Sequence, residues 1–195
     1  MNTNTDAFRA SASEWPGGSP RLKVPITNHD HVIGDPDAPV TVVQYGDYEC
    51  AQCLNAEPIV KGLLRLHGRQ IRYVYRHFPQ YSVHPQASLA AQAVEAAGVQ
   101  GKFWEMHDLL FRNRRNLAEA EITHLALVVG LEIYRFTDEL ARGVHAERVR
   151  ADYVGGIQSG VSLTPTFFIN GVRIAVFRSF KVVSSAIEMA LQRHA

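Results

Sequence analysis

The sequence predicts an α/β fold in which one sheet domain is interrupted by an all-helical subdomain. Three observations predict it. A strand, helix, strand pattern runs from Val40 to Phe78, a stretch from Pro85 to about Ser159 never returns to period two, and a hairpin followed by a helix closes the chain. The same reading divides the chain into a flexible N-terminal arm at 1–30, a sheet domain at 31–83 and 160–195, and a helical insertion at 84–159.

Residues 1 to about 28 have turn-forming composition and little periodicity, which reads as a mobile arm or an extended segment laid on the surface. His29-Asp30-His31 has the residue types of a metal site, but two histidines and one aspartate in a loop are expected to be solvated. Gly34 to Pro39 turns the chain into Val40–Tyr45, an apolar, β-branched run that predicts a buried strand. Gly46-Asp47 is then a turn, and a helix starts after Cys50, with Ala56, Ile59, Val60, Leu63 and Leu64 inward and Gly68 at its end. Pro58 lies inside that pattern and predicts a kink behind the first turn. Ile71–Phe78 alternates as a second strand, and strand, helix, strand gives one right-handed βαβ unit.

The insertion reads as five helical pieces. Pro85 opens the first, which carries Leu89, Ala93 and Val94; Phe103, Met106, Leu110 and Phe111 form the second stripe, and Ile122, Leu125 and Val129 the third. Phe136 and Leu140 mark a shorter piece, and Val149, Tyr153 and Ile157 the last, which Gly155-Gly156 weakens. Asn170-Gly171 is the pair a type I′ hairpin turn demands, here between Thr166–Ile169 and Val172–Val176. Ser179 is placed to cap a final helix with Val183, Ile187, Ala190 and Leu191 inward.

Composition excludes several classes of function. With 195 residues, 46% of them hydrophobic, the chain can build a real core. A formal net charge of +1 offers no field for nucleic acid or an acidic membrane. The first 25 residues contain no apolar leader core, and no long hydrophobic run follows, so with Met1 taken as the natural start a cytoplasmic protein is expected.

The chemistry sits at Cys50 and Cys53, the only two cysteines. Thiols three residues apart on the first turn of a helix share a face and can close into a disulfide, and the helix N-terminus favours an anion at Cys50. That pattern points to thiol–disulfide exchange. Half of a zinc site is the rival reading, but no second cysteine pair or spaced histidine pair follows, and no metal is expected. Inert core thiols fit poorly at a helix mouth. His84 reads as a helix-start residue more than a proton shuttle, Trp104 and His107 as the groove side of their helix, and Arg112-Asn113-Arg114-Arg115 as a solvated helix end.

The order of parts, with Gly34-Asp35-Pro36-Asp37-Ala38-Pro39-Val40, Tyr45-Gly46-Asp47-Tyr48-Glu49-Cys50, Gly101-Lys102-Phe103-Trp104-Glu105-Met106-His107-Asp108 and Gly160-Val161-Ser162-Leu163-Thr164-Pro165-Thr166-Phe167-Phe168-Ile169-Asn170-Gly171, resembles the DsbA-like branch of the thioredoxin superfamily. The likeness is strongest to the thioredoxin-like domains that also occur fused to bacterial sodium/proton antiporters, and it runs from about His31 to Gly171. The resemblance implies a thioredoxin fold with an inserted helical subdomain, a Cys50 that attacks, a Cys53 that resolves, and a cis Pro165 facing the sulfurs. The main chain beside Thr164 then pairs with a bound polypeptide strand. It implies polypeptide or small-molecule thiols and disulfides as substrates, a separate redox donor or acceptor, and no bound cofactor.

Three departures from that family pattern matter. Ala51-Gln52 stands between the cysteines where relatives commonly put proline first, and with Asp47 and Glu49 nearby the pair is expected toward the reducing end of the range of about −270 to −120 mV known for such dithiols. Gln44 stands where relatives usually carry a carboxylate, so proton transfer to and from Cys53 is expected to be slow. After Gly171, the stretch Val172–Arg178 is more apolar than in relatives and is read as core. Gln44 and the Ala-Gln dipeptide keep open a binding or regulatory module with little turnover, while the intact Cys-x-x-Cys argues against a glutathione-dependent isomerase.

Overall fold

A computed structural model describes residues 20–174 and 179–193. Among these, five strands form one mixed sheet: β1 (His31–Gly34), β2 (Val40–Gly46), β3 (Ile71–His77), β4 (Thr166–Ile169) and β5 (Val172–Ile174), in the order β1-β3-β2-β4-β5. The β1–β3, β2–β4 and β4–β5 pairs are antiparallel. The parallel relation that makes the sheet mixed therefore falls on β2 and β3, which α1 (Ala51–His67) connects, as parallel neighbours require a long crossover. All seven residues of β2 are buried, the signature of a strand covered on both faces.

The chain divides into two compact units. The first comprises the described residues of Met1–Tyr45, Asn55–Arg76 and Gly155–Ala195 and holds the sheet. In it α7 (Phe180–Gln192) lies against β4 and against the later part of α1. Gly62 of α1 makes room for Phe180, whose Cε2 would stand 2.9 Å from any Cβ there. His67 Nε2 and Ser184 Oγ, 3.2 Å apart, tie the same two helices. Ser179 caps α7 by accepting the Val182 N–H, and Asn170 (φ 46°) and Gly171 (φ 76°) take the left-handed turn of the β4–β5 hairpin. Of the expected hairpin strand, residues 175 and 176 lie outside the described residues, as do residues 1–19 of the expected arm.

Residues 20–30 form the extended segment laid on the surface. Arg21 bridges Val172, the Leu22 N–H donates to Gly171 O, and the Lys23 N–H donates to Ser159 Oγ. Arg76 of β3 clasps the segment from the other side. Its guanidinium meets both oxygens of Asp30 (2.7 and 3.0 Å) and donates to Val24 O, Pro25 O and Tyr45 Oη. Gly155 completes the seat, because a Cβ there would stand 3.0 Å from Val24 Cγ2. A composition that lacks periodicity is ordered here largely by contacts with residues distant in the chain. Asp30, expected to be solvated with the rest of the metal-like triplet, instead has its side chain buried as the partner of Arg76, because its carboxylate meets the guanidinium of a β3 residue.

The second unit comprises Gly46–Leu54 and His77–Val154. It carries α2 (Ala87–Gly98), α3 (Phe103–Arg112), α4 (Glu119–Val129), α5 (Ile133–Ala141) and most of α6 (Ala146–Gln158), the five helices the pattern predicts. Alanine at 87, 90, 91, 93, 96 and 97 is buried on α2, which lets α3, α4 and α5 pack closely against it. On α6 the expected stripe is corrected: Ile157 is 51% exposed, whereas Asp152 is buried. Asp152 accepts the His77 N–H and an Arg148 guanidinium bond, so a polar partner decides its burial where periodicity favoured an apolar residue.

Candidate active site

β2 ends at Gly46, whose carbonyl accepts the Phe78 N–H, and the chain then turns tightly through Asp47, Tyr48 and Glu49 into Cys50. Asp47, 1% exposed, builds this turn. Its Oδ1 accepts the Glu49 N–H (2.8 Å), its Oδ2 accepts the Gln80 N–H (2.8 Å) and the His84 Nδ1–H (2.8 Å), and its main-chain oxygen accepts the Cys50 N–H (3.2 Å). A buried carboxylate with three donors is fully supplied. Glu49 is likewise engaged, its Oε2 accepting the Gln86 N–H at 2.6 Å, just ahead of α2, where a negative charge is favoured. Tyr48 turns inward, hydrogen-bonds His107 Nδ1 at 2.9 Å and packs on Phe111 with centroids 4.8 Å apart. His107 is therefore a buried partner of this turn, which corrects the expectation that it faces a groove.

Cys50 immediately precedes α1, and its carbonyl opens the helical ladder by accepting the Leu54 N–H. Cys53 lies one turn on. Cys50 is 4% exposed and Cys53 fully buried, and the Cys50 Sγ–H donates to Gln52 Oε1 at 3.4 Å. The first turn of α1 holds no acidic residue, so no carboxylate of that turn competes with a thiolate for the positive end of the helix. α1 continues as helix across Pro58.

Gln44, Thr164 and Pro165 belong to the first unit, Cys50 and Cys53 to the second. Gln44 is fully buried on β2 opposite Phe167; its Oε1 accepts the Tyr73 hydroxyl at 2.9 Å, and its Nε2 has no hydrogen-bond partner among the described residues. The Thr164–Pro165 peptide bond is cis, both residues are half-buried, and β4 begins immediately afterwards with Thr166 opposite Tyr45. β2 and β4 thus bring Gln44 beside the strand that follows Pro165.

From the sequence Asp47 reads only as a turn residue and a nearby charge, and His84 as a helix-start residue. A sequence signal existed only for the turn, because the His84 contact spans 37 residues. His77, Glu95 and Asp152 place possible ligand atoms within 4.8 Å of one another, but Arg148 already pairs with both carboxylates. This donor set is an internal ion-paired and hydrogen-bonded network rather than an open ligand shell.

A family model described as Thioredoxin matches residues 27–189. The chain belongs to that thioredoxin family. Among solved structures it is similar to BdbD from Bacillus subtilis (TM-score 0.78, 24% identity, 89% of this chain and 97% of that one). A thioredoxin-like oxidoreductase from Silicibacter pomeroyi is similar at a TM-score of 0.71 and 27% identity, covering 86% of this chain and 93% of that one. A protein of Salinispora arenicola named Na(+)/H(+) antiporter NhaA 1 is 46% identical over 170 residues, which is 87% of this chain and 26% of that protein. The chain thus spans about a quarter of the length of the curated relatives it matches. No helix among the described residues is long and apolar enough to cross a membrane.

Proposed function

We propose that the chain is a thiol–disulfide oxidoreductase of polypeptide or small-molecule substrates, working through Cys50 and Cys53 in the reducing direction in the cytoplasm. The observation that carries this is Cys50 at the mouth of α1, on a turn fixed by a buried, fully hydrogen-bonded Asp47. In the reductive direction the Cys50 thiolate attacks one sulfur of a substrate disulfide, and the other leaves as a thiolate that takes up a proton. The Cys53 thiolate then attacks the Cys50 sulfur of the mixed disulfide, closing the Cys50–Cys53 bond and releasing the second substrate thiol. Two electrons pass from the protein to the substrate, and an external dithiol must return them. Thr164 and Pro165 are assigned to hold the substrate strand during the mixed-disulfide stage.

Insulin reduction by wild type against Cys53→Ser tests the reading. Wild type turns over with a dithiol reductant; Cys53→Ser accumulates a mixed disulfide and does not. A wild type that neither reduces insulin nor traps a mixed disulfide refutes it. Equilibration of the Cys50–Cys53 pair in glutathione buffers checks the direction, a potential as high as about −120 mV being incompatible with a reductant. A binding module with little turnover is the second reading, and buried, uncharged Gln44 is the observation that favours it.

A further inference from the structure

Beside the reactive turn lies a cavity of about 270 Å³ lined by Leu54, Arg112, Asn113, Arg114, Arg115 and Asn116. Leu54 is the residue after Cys53, and Arg114 Nη1 reaches the carbonyl of Glu49, the residue before Cys50, at 3.4 Å. The other wall is the turn that ends α3. Basic residues at a helix C-terminus ordinarily serve the helix dipole. Here that role is filled without Arg114 or Arg115: Arg112 closes the last turn and pairs with Asp108 (3.5 Å), and Asn113 Nδ2 donates to Leu109 O (2.9 Å). Among the described residues neither Arg114 nor Arg115 has a carboxylate in ion-pair range, although Arg114 is half-buried.

We infer that this cavity is a carboxylate subsite, which seats an acidic side chain of the polypeptide whose cysteine reaches Cys50. The volume has room for an acidic side chain and lies just below the roughly 300 to 1,000 Å³ of small-molecule sites. Planar guanidinium forks from Arg114 and Arg115 supply paired donors to a carboxylate, the asparagine amides add neutral ones, and Leu54 covers the aliphatic stem. The subsite gives the reading of Cys50 as the attacking thiol a substrate class, namely cysteines flanked by aspartate or glutamate. That use rests on the proposed function, but the binding does not.

Two cysteine-free peptides test it on the full chain, one with glutamates flanking a central serine and one with glutamines there, followed by fluorescence anisotropy. The glutamate peptide should bind about tenfold more tightly, the scale of one charge-assisted hydrogen-bonded contact, and lose that advantage as salt rises. In Arg114→Gln/Arg115→Gln the ratio should fall to within about twofold, with Arg114→Lys intermediate because it keeps the charge but not the fork. The single exposed-site variant Arg115→Gln, checked by its thermal melt, should lower the ratio partway and guards against misfolding of the double variant. Equal binding of both peptides by wild type, or a preference that survives the double variant, overturns the inference. Succinate as competitor separates sources: failure to displace the peptide supports a polypeptide ligand, and displacement at comparable concentration overturns that part in favour of a small carboxylate. Because no thiol takes part, loss of peptide preference and absence of insulin reduction are separate results.

Discussion

The imidazole of His84 donates through Nδ1 to the carboxylate of Asp47 at 2.8 Å, so a residue ahead of α2 is tied to the turn that delivers Cys50. The same carboxylate takes two main-chain N–H groups, and removing it leaves buried donors unsatisfied. Asp47→Ala should destabilise the protein by about 2–3 kcal/mol in urea melts and speed alkylation of Cys50. His84→Ala leaves the two main-chain donors in place and should cost only about 1 kcal/mol.

Gln44 cannot accept a proton at neutral pH. Gln44→Glu supplies a carboxyl at a fully buried position, which should lower stability while accelerating resolution of the mixed disulfide by Cys53, by about tenfold or more if the new group acts as a general acid–base. Stopped-flow decay of a preformed mixed disulfide measures it. An unchanged rate at neutral pH removes this position from the proton path.

Arg76 and Asp30 are both almost wholly buried, at 3% and 4% side-chain exposure. Burial pulls the Arg76 guanidinium down, but the hydrogen bonds to Asp30 and Tyr45 more than reverse it, and its pKa stands above the ordinary arginine value. Asp30→Ala should cost about 3–5 kcal/mol by stranding that charge. It should also open residues 20–30 to limited proteolysis, whereas wild type should resist cleavage there.

Glu139 receives hydrogen bonds from Arg135 and His145. Burial raises its pKa, but His145 and Arg135 outweigh it and leave the carboxyl below its ordinary value. A depressed carboxyl contributes stability above its unfolded pKa of about 4.3 and loses it as the pH falls through the folded value. Glu139→Gln should therefore lower the melting temperature at pH 7 by an amount worth at most about 1 kcal/mol, and the gap to wild type should close at strongly acid pH.

What was legible in the sequence is what short-range patterns encode. Asn170-Gly171 marked the hairpin, Ser179 the cap of α7, and apolar spacing the helices of the insertion. β1 was not legible, because His31–Gly34 is four residues long and acquires its conformation by pairing with Arg72–Tyr75. Asp152 and His107 defeat periodicity for a related reason: each is a polar side chain buried by a partner distant in the chain, His77 in one case and Tyr48 in the other. Cys50 and Cys53 could be singled out from spacing alone, but the hydrogen bonds that hold their turn come from Gln80, His84 and Gln86, whose spacing carries no signal.

Residues 46–54 belong to the same compact unit as the helices, although they follow a sheet strand in the chain. Anyone exchanging modules between homologues should cut accordingly. A hybrid that imports a foreign 77–154 onto this scaffold also imports new neighbours for Asp47, Tyr48 and Glu49, so the stretch leading into Cys-Ala-Gln-Cys changes its supports while the tetrapeptide stays untouched.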